Sequence, residues 1–240
     1  AVDAAIMHAK QMVKDGAKII DIGGESTRPG HDPVSKEQEI ARVIPVIKAL
    51  SKELDVMISI DTYKAEVAEQ AILAGAHIIN DVWGAKKEPA IVQVAAKYQV
   101  PIILMHNREN TTYNDFWYDV RSDLEESVQL AKDAGVAEEH IWLDPGIGFG
   151  KTTEQNIWMM QHLSNLSEMG YPVLLGTSKK SLIGNVLNLP VAERLEGTAA
   201  TVSYGVMHGC HIMRVHDVKE IVRTVKMMDV LTGKQVYVEK

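Results

Sequence analysis

Lys18-Ile19-Ile20-Asp21-Ile22-Gly23 runs directly into Gly24-Glu25-Ser26-Thr27-Arg28-Pro29-Gly30 and then into Ser35–Leu50. The first six residues form a short, Ile-rich run of the kind that marks a strand buried on both faces, as in a parallel sheet. The glycine and polar cluster that follows reads as a loop. Ser35–Leu50 places Ile40, Val43, Ile44 and Ile47 at helical spacing, with Glu37 and Glu39 near the start, where a helix favours negative charge. The unit is strand, polar loop, helix.

The same unit recurs along the chain. Further apolar runs stand at Val56–Asp61, His77–Asp81, Pro101–His106, His140–Asp144, Pro172–Thr177 and His211–His216. The stretches between them read as helices, among them Lys64–Leu73, Val120–Ala134 and Val218–Leu231. Gly16, Gly75, Gly135, Gly170 and Gly209 each stand just before a strand, where a left-handed helix cap is expected. Strand–helix alternation with right-handed crossovers leaves an open doubly wound sheet or a (βα)8 barrel. Seven strands in this length suit a barrel of about 250 residues. The chain opens on a helical stretch, Asp3–Lys14, with no strand before it. The expected fold is therefore an α/β (βα)8 TIM barrel whose first strand and first loop are absent from the given chain. No linker divides residues 1–240, which are expected to form one domain.

Composition narrows the function classes. The net charge of −7 argues against broad nucleic-acid binding. The single cysteine, Cys210, excludes a disulfide scaffold and any multi-cysteine metal site, and it fits a reducing cytoplasm. No apolar run approaches the ~20 residues of a membrane span.

In a barrel of this type the chemistry sits at the C-terminal ends of the strands. Those ends are polar throughout: Gly24–Gly30, Asp61-Thr62, Asn80-Asp81, Met105-His106-Asn107, Asp144–Lys151, Thr177–Ser181 and Arg214–Asp217. Polar groups at the ends of buried strands are costly unless paired or bound to something. Asp61, Asn80 and Asp144 offer acceptors and suit a flat heterocycle rich in N–H donors, such as a pterin. Arg28, Lys180, Arg214 and His216 are a cationic set in an acidic protein and suit a phosphate. A substrate with a hydrogen-bonding ring at one end and phosphate at the other satisfies both.

Simpler structural roles compete for some of these residues. Asp61 alone is as well read as a helix N-cap, and Asp217, just before Val218–Leu231, is better read as a cap than a catalyst. Asn80 could tie down a loop, His106 reads as a structural histidine, and Lys179 reads as solvated. His8, His31, His140, His162 and His208 show no ligand spacing. Gly150-Lys151-Thr152 fails the phosphate-loop pattern because Pro145 stands where glycine is needed. Phe149, in a glycine-flanked loop without a neighbouring apolar run, is expected to face a ligand.

Taken in order, these motifs closely resemble the dihydropteroate synthases, the sulfonamide-target enzymes of folate synthesis. The resemblance rests on Asp21–Gly30, Ser59–Thr62, Ile79–Asp81, Leu104–His106, Leu143–Lys151, Gly176–Ser181 and Arg214–Asp217. It implies condensation of (7,8-dihydropterin-6-yl)methyl diphosphate with 4-aminobenzoate, giving dihydropteroate and diphosphate. It further implies that Asp61, Asn80, Met105, Asp144 and Lys180 line the pterin pocket. Thr27, Arg28, Arg214 and His216 are implied on the diphosphate side, and Thr27, Pro29, Phe149, Lys180 and Ser181 at the aminobenzoate. Asp61, Lys180 and Arg28 are the implied catalytic residues. A magnesium ion, a homodimer with Met207, Met227 and Met228 as candidate contacts, sulfonamide inhibitors and a cytoplasmic location complete what the family implies.

The chain departs from the family pattern in two places. Lys179 stands where Ser-Arg-Lys is usual, and lysine cannot reproduce bidentate arginine bonds. The family's Thr-Pro-Asp-Ser-Phe loop and its magnesium-ligating Asn do not occur in the sequence. Two other readings stand beside this one. A pterin barrel transferring a methyl group from methyltetrahydrofolate to a corrinoid protein would not need Ser26–Pro29 or the Arg214/His216 pair. A non-catalytic pterin-binding fragment would hold the ring without turnover.

Overall fold

The computed structural model describes residues 2–26 and 31–240. After α1 (Val2–Lys14) come β1 (Ile19–Gly23), α2 (Lys36–Glu53), β2 (Met57–Asp61), α3 (Ala65–Ala74), β3 (Ile78–Asp81), α4 (Ile91–Tyr98), β4 (Ile102–Met105) and α5 (Phe116–Asp133). They are followed by β5 (Ile141–Asp144), α6 (Thr153–Gln161), α7 (Leu163–Ser167), β6 (Leu174–Leu175), α8 (Ser181–Leu187), α9 (Leu195–Met207), β7 (Ile212–Met213) and α10 (Val218–Leu231). The strands pair in parallel and in chain order, β1 through β5 in one sheet and β6 with β7 in a second. A bridge between Leu143 and Val173 joins the two. This is the strand-by-strand wall of an α/β barrel, as the repeated unit predicts. Among the described residues no ladder pairs β7 with β1. The guanidinium of Arg214, just past β7, instead donates to the carboxylate of Asp21 on β1 at 3.0 Å.

Period two in the strands sorts the side chains onto two faces. Ile20, Ile22, Ile58, Ile60, Ile79, Ile102, Leu104, Ile141, Leu143, Val173 and Leu175 point to the helices and join one large apolar core. Residues of the opposite parity share the inner face, because parallel pairing sets Asp21 beside Ser59, Asp61 beside Asn80, Ile103 beside Trp142 and Met105 beside Asp144. Towards the strand starts that face is an apolar layer of Ile78, Ile103 and Leu174, packed by Ile19, Trp142 and Ile212. Towards the strand ends it turns polar. The apolar layer thus forms the floor of a polar site.

Gly16, Gly75, Gly135, Gly170 and Gly209 all adopt positive φ, as their positions before strands require. Helix α2 starts where expected, with a capping box between Ser35 and Gln38, but runs to Glu53. Helix α5 begins at Phe116 rather than Val120, because the Asp115 carboxylate accepts from the Tyr118 amide and nucleates an earlier turn. The expected runs Pro172–Thr177 and His211–His216 shrink to two-residue strands. Ladder bonds end at Arg214 N–H to Leu175 C=O, 3.0 Å. Beyond that point side-chain bonds replace them, Thr177 to Thr201 at 2.7 Å and Ser178 to His216 at 2.7 Å.

The floor is open to a packing test. Ile103→Ala should lower unfolding stability by about 2–5 kcal/mol, the usual range for truncating a fully buried Ile. A denaturant titration showing a loss below about 1 kcal/mol would mean that this layer is not tightly packed.

Candidate functional site

Above the floor, the inner face carries Asp21, Ser59, Asp61, Asn80, Met105 and Asp144, each at or near the C-terminal end of its strand. Asp21 is the hub. Its carboxylate accepts from the Ser59 hydroxyl at 2.6 Å, from Arg214 Nε at 3.0 Å and from Asn80 Nδ2 at 3.4 Å. In the sequence Asp21 and Ser59 stand inside motifs that assign them no role. The signal that finds both is parity, which sets them on the same face as Asp61 and Asn80.

Asp61 Oδ1 and Asn80 Oδ1 are buried and, among the described residues, lack a hydrogen-bond donor. Buried acceptors are nearly always paired, and leaving one unmade costs on the order of 1–3 kcal/mol. Asp61 is therefore not the helix cap it could have been. The N-cap position of α3 falls to Lys64, and the Thr62 hydroxyl accepts from the Lys64 amide. Burial, reinforced by the negative charge of Asp21, raises the Asp61 pKa well above the ordinary carboxylate value, while Arg214 opposes the rise. Asn80 does more than tie down a loop, since its Nδ2 reaches the hub while its oxygen stays unpaired. The loop role belongs to Asp81, on the outer face, whose two oxygens accept from the amides of Trp83 and Ala85 at 2.8 Å each.

Asp144 closes the acceptor set at the end of β5. One oxygen accepts from the Gly146 amide at 2.8 Å, and burial raises its pKa against the pull of the nearby Lys180 cation. Lys180 Nζ donates to Ile147 C=O at 2.5 Å and lies 5.0 Å from the centre of the Phe149 ring. Burial pushes the Lys180 ammonium down to about 8. The structure thus brings Lys180 beside Asp144 and Phe149. Met105 is buried on the same face, and Ser181 is exposed at the start of α8.

Arg214 and His216 leave β7 on the exposed rim, and the Ser178 hydroxyl holds His216 through both its ring Nδ1 at 2.7 Å and its amide at 3.1 Å. Two expectations nearby need correction. Asp217 occupies the N-cap position of α10 but makes no capping bond, because its carboxylate turns to Lys179 Nζ at 3.5 Å. Lys179 is accordingly ion-paired rather than simply solvated. Its backbone is left-handed, and its amide donates to Thr198 Oγ1 at 3.1 Å. Thr27, Arg28 and Pro29 lie outside the described residues.

The loop Pro145–Lys151 is shaped by its glycines. At Gly146 (φ +68°) a Cβ would collide with the His106 carbonyl, and at Gly150 (φ +58°) it would meet the Arg108 carbonyl at 2.6 Å. The loop therefore rests directly on the exit of β4. Beside it lies a cavity of about 580 Å3, lined by Tyr63, Trp83, Asn107, Arg108, Phe149 and Lys151 among others. His106 is structural, as expected, with its ring between Asp123 and Lys151 at 2.8 Å each.

Residues 1–216 match the model of the pterin binding enzyme family. The chain is 58% identical over 234 residues to a dihydropteroate synthase of Clostridium beijerinckii, covering 97% of this chain and 87% of that relative. Among solved structures, it is similar to dihydropteroate synthase from Clostridium difficile crystallised in the presence of pteroic acid, with a TM-score of 0.94 and 50% identity over 96% of this chain and 88% of that one. It is also similar to the Xanthomonas albilineans dihydropteroate synthase solved with 4-aminobenzoic acid, with a TM-score of 0.91 and 38% identity over 99% of this chain and 86% of that one.

The hub yields an expected outcome that needs no ligand. In Asp21→Asn, loss of the neighbouring charge should lower the Asp61 titration midpoint, read from its side-chain carboxyl carbon by NMR. An unchanged midpoint would mean that Asp21 does not govern Asp61.

Proposed function

The chain belongs to the pterin-binding enzyme family, within its dihydropteroate synthase branch, and from that premise we propose how its residues carry out the transferase reaction of that branch. The reaction condenses (7,8-dihydropterin-6-yl)methyl diphosphate with 4-aminobenzoate and releases diphosphate. The observation that carries the reading is the pair of buried oxygens on Asp61 and Asn80, beside Asp144, that lack a donor among the described residues. A reduced pterin presents N–H groups along its ring edge, and these are the missing donors.

In this reading Asp61, Asn80 and Asp144 hold the ring edge, with Met105 against the ring face. Lys180, beside Asp144, donates to the ring. Arg214 and His216 lie at the rim and meet the diphosphate, with Arg214 pre-aimed by Asp21. Thr27 and Arg28 are proposed for the same group. Phe149, Pro29 and Ser181 receive the aminobenzoate. Departure of diphosphate leaves positive charge on the pterin methylene. In their ionised form, which the developing cation itself favours, Asp61 and Asp144 stabilise that charge while they hold the ring. A weakly basic aromatic amine then attacks without needing a strong general base, so positioning supplies much of the rate.

We also propose that magnesium accompanies the diphosphate. Among the described residues no three His, Cys, Asp or Glu side chains converge to hold an ion, so no step here depends on it. Sulfonamides, as mimics of the aminobenzoate, are proposed inhibitors. A homodimer is proposed through the late helices, where Met207 on α9 and Met227 on α10 are exposed and Met228 is half-buried. No helix among the described residues is long and apolar enough to cross a membrane, and a cytoplasmic location is proposed.

Incubating the purified protein with both substrates and magnesium should yield dihydropteroate, and absence of product would overturn the reading. Within it, Lys180→Ala should weaken pterin binding by roughly ten-fold or more, as for a lost charge-assisted hydrogen bond. Lys179→Ala should change it little. Equal, small losses in a calorimetric titration would remove Lys180 from the pocket.

A further inference from the structure

Lys151 is buried, yet among the described residues it makes no ion pair with a carboxylate. Its ammonium faces three acceptors: His106 Nδ1 at 2.8 Å, Phe149 C=O at 3.0 Å and Gly146 C=O at 3.2 Å. The proton count is complete. His106 Nε2 lies 2.8 Å from the Asp123 carboxylate, which can only accept, so Nε2 carries the ring proton and Nδ1 is bare. Three N–H groups thus meet three acceptors. Asp123 is held in turn by Arg108, at 2.8 Å from Nε and 3.3 Å from Nη2, and this pairing with His106 and Arg108 keeps its own pKa below the ordinary carboxylate value.

The same layer reaches the rest of the loop. Tyr113, beneath the Arg108 guanidinium at 4.5 Å, donates its hydroxyl proton to Gly150 C=O at 2.6 Å. On the site side, Lys180 holds Ile147 C=O and covers the Phe149 ring. The loop is therefore clamped between two lysines, one under its carbonyls and one over its single aromatic ring. An apolar side chain would fill the space under the loop at lower desolvation cost. A lysine there is explained if the orientation of the loop carbonyls, and so of Phe149, must be fixed.

We propose that Lys151 is a positioning residue for the second substrate: by bonding Gly146, Phe149 and His106 it fixes the Phe149 ring in the orientation that the aminobenzoate meets. The proposal rests on the reading of Phe149 given above. The ammonium form is the one that satisfies all three acceptors. Asp144 and Asp123 favour it, while burial, Lys180 and Arg108 oppose it and bring Lys151 down to about 7. Neutralisation would leave one acceptor unmatched.

The test is a steady-state comparison of Lys151→Met, Phe149→Ala and the double variant. Lys151→Met should raise the KM for 4-aminobenzoate by about ten-fold, while the KM for the pterin diphosphate changes by less than about three-fold. Because Lys151 acts through Phe149, the double variant should be no worse than Phe149→Ala alone. Equal rises in both KM values, no rise, or multiplying effects in the double variant would overturn the proposal. If Lys151→Met does not fold, Tyr113→Phe, which removes one bond to the same loop, should raise only the aminobenzoate KM, by about two- to five-fold, and no change would count against the proposal. If Phe149→Ala leaves the aminobenzoate KM unaltered, the reading of Phe149 fails and the proposal falls with it. If Phe149→Ala acts and Lys151→Met does not, only the proposal fails.

Discussion

Buried hydrogen-bond acceptors without donors are the constraint on which the rest of this structure turns. Asp61 and Asn80 each keep one such oxygen on the inner face of the sheet, beside the buried carboxylate of Asp144. Such oxygens cost stability unless a bound partner brings donors. The neighbouring groups make the arrangement possible. Asp21 consumes the donors of Ser59 and Arg214 that could otherwise satisfy Asp61, and it orients the Asn80 amide so that its oxygen stays unpaired.

Parity in the strands gives this constraint its place. One face of each strand is given wholly to the helices, and the other changes from apolar floor to polar rim along its length. In the proposed reading the apolar floor lies beneath the ring, and Arg214 and His216 on the rim meet the anionic end of the substrate. A net charge of −7 is compatible with an anionic substrate because Lys180, Arg214 and His216 gather at one end of the barrel. Electrostatic complementarity here is a local property of strand ends, not of the whole surface.

The fold was legible because its signals are short-range. Apolar runs ending in polar clusters and glycines before strands mark the units without any knowledge of contacts. Asp61, Asn80 and Asp144 stand out in sequence as polar residues where core packing would not ask for them, whereas Lys180 stands out only through its motif. Asp21 was obscured because it stands inside an Ile-rich run, and only the register with β2 shows which way it points. Lys151 is obscured in sequence because one of its partners, His106, comes from β4's exit and the other two are carbonyls of its own loop. The Asp217–Lys179 pair likewise joins the starts of two helices far apart in sequence, and it overrode a capping preference read from local sequence alone.

The central claim is that the unpaired oxygens of the inner face exist to receive ring N–H donors. Calorimetric titration with a pterin and with the same ring lacking its exocyclic amino group addresses it directly. Loss of that donor should cost roughly a hundred-fold or more in affinity, because buried acceptors would remain unpaired in the complex. Equal affinity for the two rings would contradict the account.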